Sequence, residues 1–255
     1  MGRDDGRPLN APRGKEALTA LLRAEGERRY HDRHPFHVAM HAGVLTKRQI
    51  QAWVENRYYY QTRIPKKDAI LLSKSDDPAF RRGWIRRIVD HDGVEGVEDA
   101  KGGDGAGGGA RGSGGLAMWE RLAMGVGLDL PRVKRHEDVL AQVRFACDAY
   151  VSLVERSVLV VGVASSLTEF FSPDVMTKRI LAWETHYPWV SPDVLEYFRA
   201  RVPRAQADSR EAIDFVTAHA VTRELEDACV EALVEKCRIL WALLDAVTHA
   251  YGIGP

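Results

Sequence analysis

Apolar residues recur at spacings of three and four along nearly the whole chain, and alternation of period two is hard to find in any run of six, so the pattern is that of helices rather than strands. The clearest instance lies near the C-terminal end. There Leu233, Cys237, Leu240, Leu244, Val247 and Tyr251 form a seam on a helix expected from about Arg223 to Tyr251 and ended by Gly252. A helix with so long a seam must be packed along its full length, which requires other helices around it. Start signals agree. Thr46 predicts a helix through about Tyr60, Asp77-Pro78 one that stops at Gly93, and Ser191-Pro192 another, while Pro65, Pro173 and Pro188 are expected to break other runs. The expectation is an all-α protein of seven to nine helices, one domain over residues 15–252.

One segment departs from this pattern. Lys101 to Gly115 holds nine of the 22 glycines and reads as a flexible insertion. Its Gly103, Gly105 and Gly108 fit a dinucleotide fingerprint nominally, but no strand precedes them. Residues 1–14 read as a disordered leader with no apolar export region, which places the protein in the cytoplasm. The stretch Ser157 to Thr168, free of charged residues and of histidine, is too short to span a bilayer and is expected to be a buried central helix. With 36 basic against 36 acidic residues, neither nucleic acid nor a membrane surface is an expected partner. Cys147, Cys229 and Cys237 match no disulfide or zinc pattern and are expected to be small core fillers.

Function is read from charged residues on apolar faces, because a buried charge persists only with a partner. Arg57 and Gln61 fall on the stripe of Ile50, Trp53 and Ile64. Arg87 lies one turn before His91 on the stripe of Phe80, Trp84 and Ile88. Arg179 stands between Val175 and Trp183, Arg201 one turn after Tyr197, and Lys236 beside the C-terminal seam. Four arginines and a lysine turned inward, with His91, Tyr150 and Tyr197 near, predict a closed pocket for a small polycarboxylate. His31, His34, His37 and His41 are crowded, and Asp245 with His249 forms an acid–imidazole turn, so a metal site is a second reading. The Glu-x-x-His of di-iron bundles is absent from the sequence.

The strings YHDRHPFHVAMHAG, QAWVENRYYYQTRIPKKDA, RRIVDHDG, VRFACDAY, SSLTEFFSP, HYPW, YFRAR and EKCRILWALLDA resemble the pyrroloquinoline quinone synthase family from about Lys15 to Tyr251. The resemblance implies a compact bundle of about seven helices of the haem-oxygenase-like and TenA-like type, acting as a homodimer. It implies ring closure and eight-electron oxidation of the polycarboxylate quinone AHQQ by oxygen, with PQQ and hydrogen peroxide as products and no metal or redox cofactor. By the same resemblance His91 takes a ring proton, His31 assists, and Tyr197, Arg201 and Lys236 handle oxygen and peroxide. Tyr30, Arg57, Gln61, Lys67, Arg87, Tyr150, Thr168, Glu169 and Arg179 contact the substrate.

The chain departs from the family where Met176 replaces a histidine that some members carry, in the longer glycine-rich stretch, and in lacking a C-terminal tail. Alternatives are a metal-dependent oxygenase with Asp245 and His249 as ligands, or a carrier that binds the quinone without oxidising it. A TenA-like thiamin hydrolase is disfavoured because no cysteine lies near Ser165.

Overall fold

The computed structural model describes residues 11–94 and 114–254. Among these the ordered elements are helical, in the order α1 (Lys15–Arg29), α2 (Pro35–His41), α3 (Lys47–Ser73), α4 (Pro78–Asp92), α5 (Gly115–Gly125), α6 (Leu130–Lys134), α7 (Ala141–Arg156), α8 (Leu159–Ala164), α9 (Ser172–His186), α10 (Glu196–His219) and α11 (Arg223–Ala250). Three short 3-10 segments, His31–Arg33, Ser165–Phe171 and Pro192–Leu195, join some of them. Eight of the eleven helices have eleven residues or more, matching the expected number, and α2, α6 and α8 are additional short turns.

The start signals are realised atom by atom. Thr46 and Gln49 form a reciprocal capping box on α3, and the Asp77 carboxylate accepts from the backbone of Ala79 and Phe80 at the start of α4. Helix α11 lies along the core with its seam buried from Leu233 through Val247 and Tyr251 half-buried at its end, and Gly252 follows at φ +60°, where a side chain would be strained. Beneath the site, Trp53 of α3 packs against Trp119 of α5, Trp183 of α9 and Phe198 of α10, at ring separations of 5.5–6.3 Å. These aromatic contacts join four helices into one core.

Several expectations change. Pro65 does not end a helix: α3 continues through it to Ser73, and Pro203 likewise sits inside α10. Pro173 opens α9 rather than breaking a run. The uncharged segment 157–168 is not one helix but the short α8 followed by a 3-10 segment, whose tighter winding aims Thr168 and Glu169 at the same cavity. By length and composition the run Leu159–His186 would cross a bilayer, but 61% of its most apolar window is buried inside this bundle. Residues 11–14, assigned to the leader, are tied to α11. The Arg13 backbone N–H and guanidinium bond Glu226, and Arg223 donates to the Ala11 carbonyl. Of the glycine-rich insertion, 101–113 lies outside the described residues, while Gly114 and Gly115 begin α5. The three cysteines are free and buried, and burial pushes Cys147 and Cys229 up to about 12, so both stay thiols.

Candidate active site

Positions 57, 60, 64 and 68 of α3 repeat at three and four, so Arg57, Tyr60, Ile64 and Asp68 descend one wall of an interior cavity. Helix α4 adds Arg87 and His91, α9 adds Met176 and Arg179, and α10 adds Tyr197, Arg201 and Asp208. Tyr30 and His31 enter from the turn after α1, and Thr168 and Glu169 from the 3-10 segment. Ten of the fourteen residues expected at the site thus line one cavity. The others, Gln61, Lys67, Tyr150 and Lys236, are buried directly behind its wall.

The cations divide into two sets. On one side Arg87 donates to Glu169 at 2.8 Å, and Arg201 approaches Glu169 at 3.5 Å and Asp208 at 3.4 Å. Burial works to raise the Glu169 carboxyl, but Arg87, Arg201 and Lys67 outweigh it and hold it below the ordinary range. Asp208 is pushed up to about 6 by burial and by Glu169. On the other side stand Arg57 and Arg179, with no carboxylate among the described residues pairing with either. Arg57 lies over the Tyr60 ring at 3.9 Å. Arg179 is 3% exposed, touches Met176 Sδ and His37 Nδ1 at 3.4 Å each, and leaves its Nε without a partner. Burial and Arg57 lower its pKa to about 9. A buried guanidinium without a counter-ion is costly, and an anionic ligand removes that cost.

His91 Nε2 lies 3.0 Å from the Gln61 carbonyl oxygen. A carbonyl only accepts, so Nε2 carries the proton and Nδ1 the lone pair. Burial, then Arg201, lowers the His91 pKa to about 3, so the ring is a neutral imidazole at pH 7. Where α5 begins, a Cβ at Gly114 would stand 2.3 Å from the Gly93 nitrogen, and one at Gly115 would stand 3.0 Å from His91 Nδ1. Only glycine lets these two chain segments meet beside the ring.

The Tyr197 hydroxyl donates to Gln61 Oε1 at 3.0 Å, so Gln61 acts through Tyr197 and His91 rather than from the cavity face. Lys67 is bound by Asp68 at 2.6 Å and by Ser166 at 2.9 Å. Lys236 donates to Tyr60 at 2.8 Å and sits 3.1 Å from the Tyr150 ring centre, away from the cavity surface that Tyr197 and Arg201 share. Burial, with Arg57 and Lys67 adding to it, drives the Lys236 pKa well below the ordinary lysine value.

Sequence reasoning missed Tyr60, Asp68, Ser172, Asp208 and Leu240 as lining residues. Tyr60 was hidden in a run of three tyrosines, and Asp208 lies seven residues after Arg201, a spacing that pointed to it. Met176 does line the cavity, where it touches Arg179.

The crowded histidines are each met by other neighbours in the described part of the chain. Among the described residues no group of three or more His, Cys, Asp or Glu side chains is placed to hold an ion. Asp245 accepts from His34 Nε2 at 3.0 Å instead of meeting His249, which is exposed.

His31, His37, His41 and His91 all have lowered pKa values, with burial the largest cause of each. The unfolded chain therefore binds protons that the folded chain refuses, and stability is complete above about pH 6.5 and lost as pH falls toward the folded values. At pH 5 His91 alone costs about 2 kcal/mol. Thermal melts should show Tm falling steadily from pH 6.5 to 5. A flat Tm across that range would contradict the neutral histidine core.

Residues 20–246 match the TENA/THI-4/PQQC family. The chain is 46% identical over 237 residues to a pyrroloquinoline-quinone synthase of Rhizobium meliloti, covering 93% of this chain and 87% of that one. It is 43% identical over 249 residues to the synthase of Granulibacter bethesdensis, covering 98% and 92%. Two solved structures share the fold at low identity. One is a haem-oxygenase-like domain of unknown function from Shewanella denitrificans, with TM-score 0.72, 14% identity and 92% of each chain covered. The other is a TenA homologue from P. horikoshii, with TM-score 0.69, 11% identity and 91% and 98% covered. A match across nearly all of the described helices, with long relatives above 40% identity, establishes that the chain belongs to the TENA/THI-4/PQQC family.

Proposed function

We propose that this protein is the oxidase of the final step of pyrroloquinoline quinone biosynthesis, closing a third ring on the bicyclic AHQQ and oxidising it by eight electrons with molecular oxygen. The observation that carries the reading is Arg179, a buried guanidinium with no acidic partner among the described residues, opening with Arg57 into the cavity that holds His91. Such a site is incomplete without an anionic ligand, and relatives that match nearly the whole chain are pyrroloquinoline-quinone synthases.

In this reading the carboxylates of the substrate are held by Arg57 and Arg179, with Tyr30 and Thr168 beside them. Arg87 stays with Glu169. His91 Nδ1 takes the ring proton, and a polyanion in place raises its basicity by offsetting Arg201. His31, with Nδ1 unpartnered and its pKa lowered, is a second neutral base across the cavity. Tyr197 and Arg201 lie where negative charge builds on oxygen as it is reduced, and Lys236 acts on that charge through Tyr60. The quinone ring stores the electrons itself, so the reading needs neither metal nor redox cofactor, and hydrogen peroxide leaves with the product. It places the enzyme in the cytoplasm as a homodimer.

Anaerobic mixing with AHQQ, followed by oxygen, tests this by visible absorption. Conversion to PQQ with peroxide release is expected. Tight binding without conversion would instead make the protein a carrier. Replacing Arg179 by Ala should weaken PQQ binding by about 1.5–3 kcal/mol, the scale of a hydrogen bond to a charged group. Unchanged affinity by calorimetry would remove Arg179 from the ligand site.

A further inference from the structure

A proline inside a helix has no N–H to give to the carbonyl four residues earlier, and its ring presses that carbonyl out of line. Pro65 lies within α3, and the carbonyl four residues before it belongs to Gln61. That oxygen is the one that His91 Nε2 approaches at 3.0 Å from the neighbouring helix. In a regular helix the same oxygen would be engaged by the N–H of residue 65.

We propose that Pro65 is a positioning residue for His91: by freeing the Gln61 carbonyl it fixes the imidazole proton on Nε2 and leaves Nδ1 as the basic nitrogen.

The described surroundings of the ring agree with this arrangement. Nδ1 makes no hydrogen bond among the described residues, and it faces Gly115, where the missing Cβ would have stood 3.0 Å away. The side chain of the same Gln61 accepts from Tyr197, so one turn of α3 orients both groups. Without the freed carbonyl, Nε2 has no acceptor there. The ring is then free to place its proton on either nitrogen, and the Nδ1–H tautomer offers no lone pair on the side that Gly115 leaves open.

This inference deepens the reading of His91 as the proton acceptor and rests on it for its catalytic consequence, but its first readout needs no turnover. In the unmodified protein with 15N-labelled histidine, the His91 nitrogen shifts should report Nε2–H. In Pro65→Ala, where residue 65 regains an N–H, they should move toward a mixture of tautomers, with Tm not lowered because a helix hydrogen bond is restored. The single-turnover rate should fall about 10- to 100-fold, by analogy with the loss of a partner that orients a metal-ligating histidine, while PQQ affinity stays within about twofold. A second variant, Gly115→Ala, leaves the carbonyl alone and covers Nδ1. It should lower the rate and keep the Nε2–H tautomer.

An Nδ1–H tautomer in the unmodified protein, or a Pro65→Ala variant with the tautomer and rate unchanged, would overturn the proposal. So would a Pro65→Ala rate loss accompanied by equal losses of Tm and PQQ affinity, which would mark Pro65 as merely structural. Failure of the unmodified enzyme to convert AHQQ would overturn the assigned reaction, while the Pro65→Ala tautomer shift would still support the positioning role.

Discussion

Replacing His91 by Asn should lower the single-turnover rate by about 10²- to 10⁴-fold, the contribution of a positioned general base, with substrate still bound and almost no oxygen consumed. The cavity keeps Arg57 and Arg179 in that variant, so affinity is retained and only the proton acceptor is gone. Replacing Tyr197 by Phe or Arg201 by Ala should act later. The first proton transfers proceed, and a reduced, quinol-like species accumulates because the donors that stabilise charge on oxygen are missing. Spectra of the three variants under air decide this. Arrest of all three at one species would remove the division of labour between His91 and the Tyr197–Arg201 pair.

Arg87→Met should destabilise the fold by about 3–5 kcal/mol, a Tm loss of roughly 10 °C for a domain of this size, in addition to any effect on the reaction. Arg87 is nearly enclosed. It donates to Glu169 at 2.8 Å and to the Asp208 carbonyl at 2.6 Å, so it ties the 3-10 segment and α10 to α4. Its removal leaves Glu169 with the more distant Arg201 at 3.5 Å and Lys67 behind the cavity wall. Adding Glu169→Gln to Arg87→Met should recover part of the lost Tm, since the stranded charge is gone. If the double variant melts below the single one, the cost lies in lost packing over Trp84, whose ring lies 3.9 Å from the guanidinium, and not in the unpaired charge.

Much of this architecture is legible in the residues because helices bury a face whose period shows in one dimension. The α11 seam and the inward turn of Arg57, Arg87, Arg179 and Arg201 follow from spacings of three and four and are found in the core or lining the cavity, while the Thr46 and Asp77 caps follow from residue type and form at exposed helix starts. The assigned reaction came instead from the likeness of whole strings to a known family. Spacing shows that a charge faces inward, but not what it meets there.

What the tertiary structure alone decided is pairing across helices. Glu169 and Asp208 neutralise Arg87 and Arg201 but not Arg57 and Arg179, a difference carried by contacts between α4, α9, α10 and the 3-10 segment that no local pattern encodes. Asp245 meets His34 from the far end of the chain and not its neighbour His249. Pro65 is the sharpest case. Local propensity reads it as a helix end, worth about 3 kcal/mol against continuation, yet packing of α3 across the core carries the helix through it. The carbonyl it strands, that of Gln61, finds its donor on His91, 30 residues further along the chain, because burial requires every polar group to be met and only the assembled bundle can supply the partner.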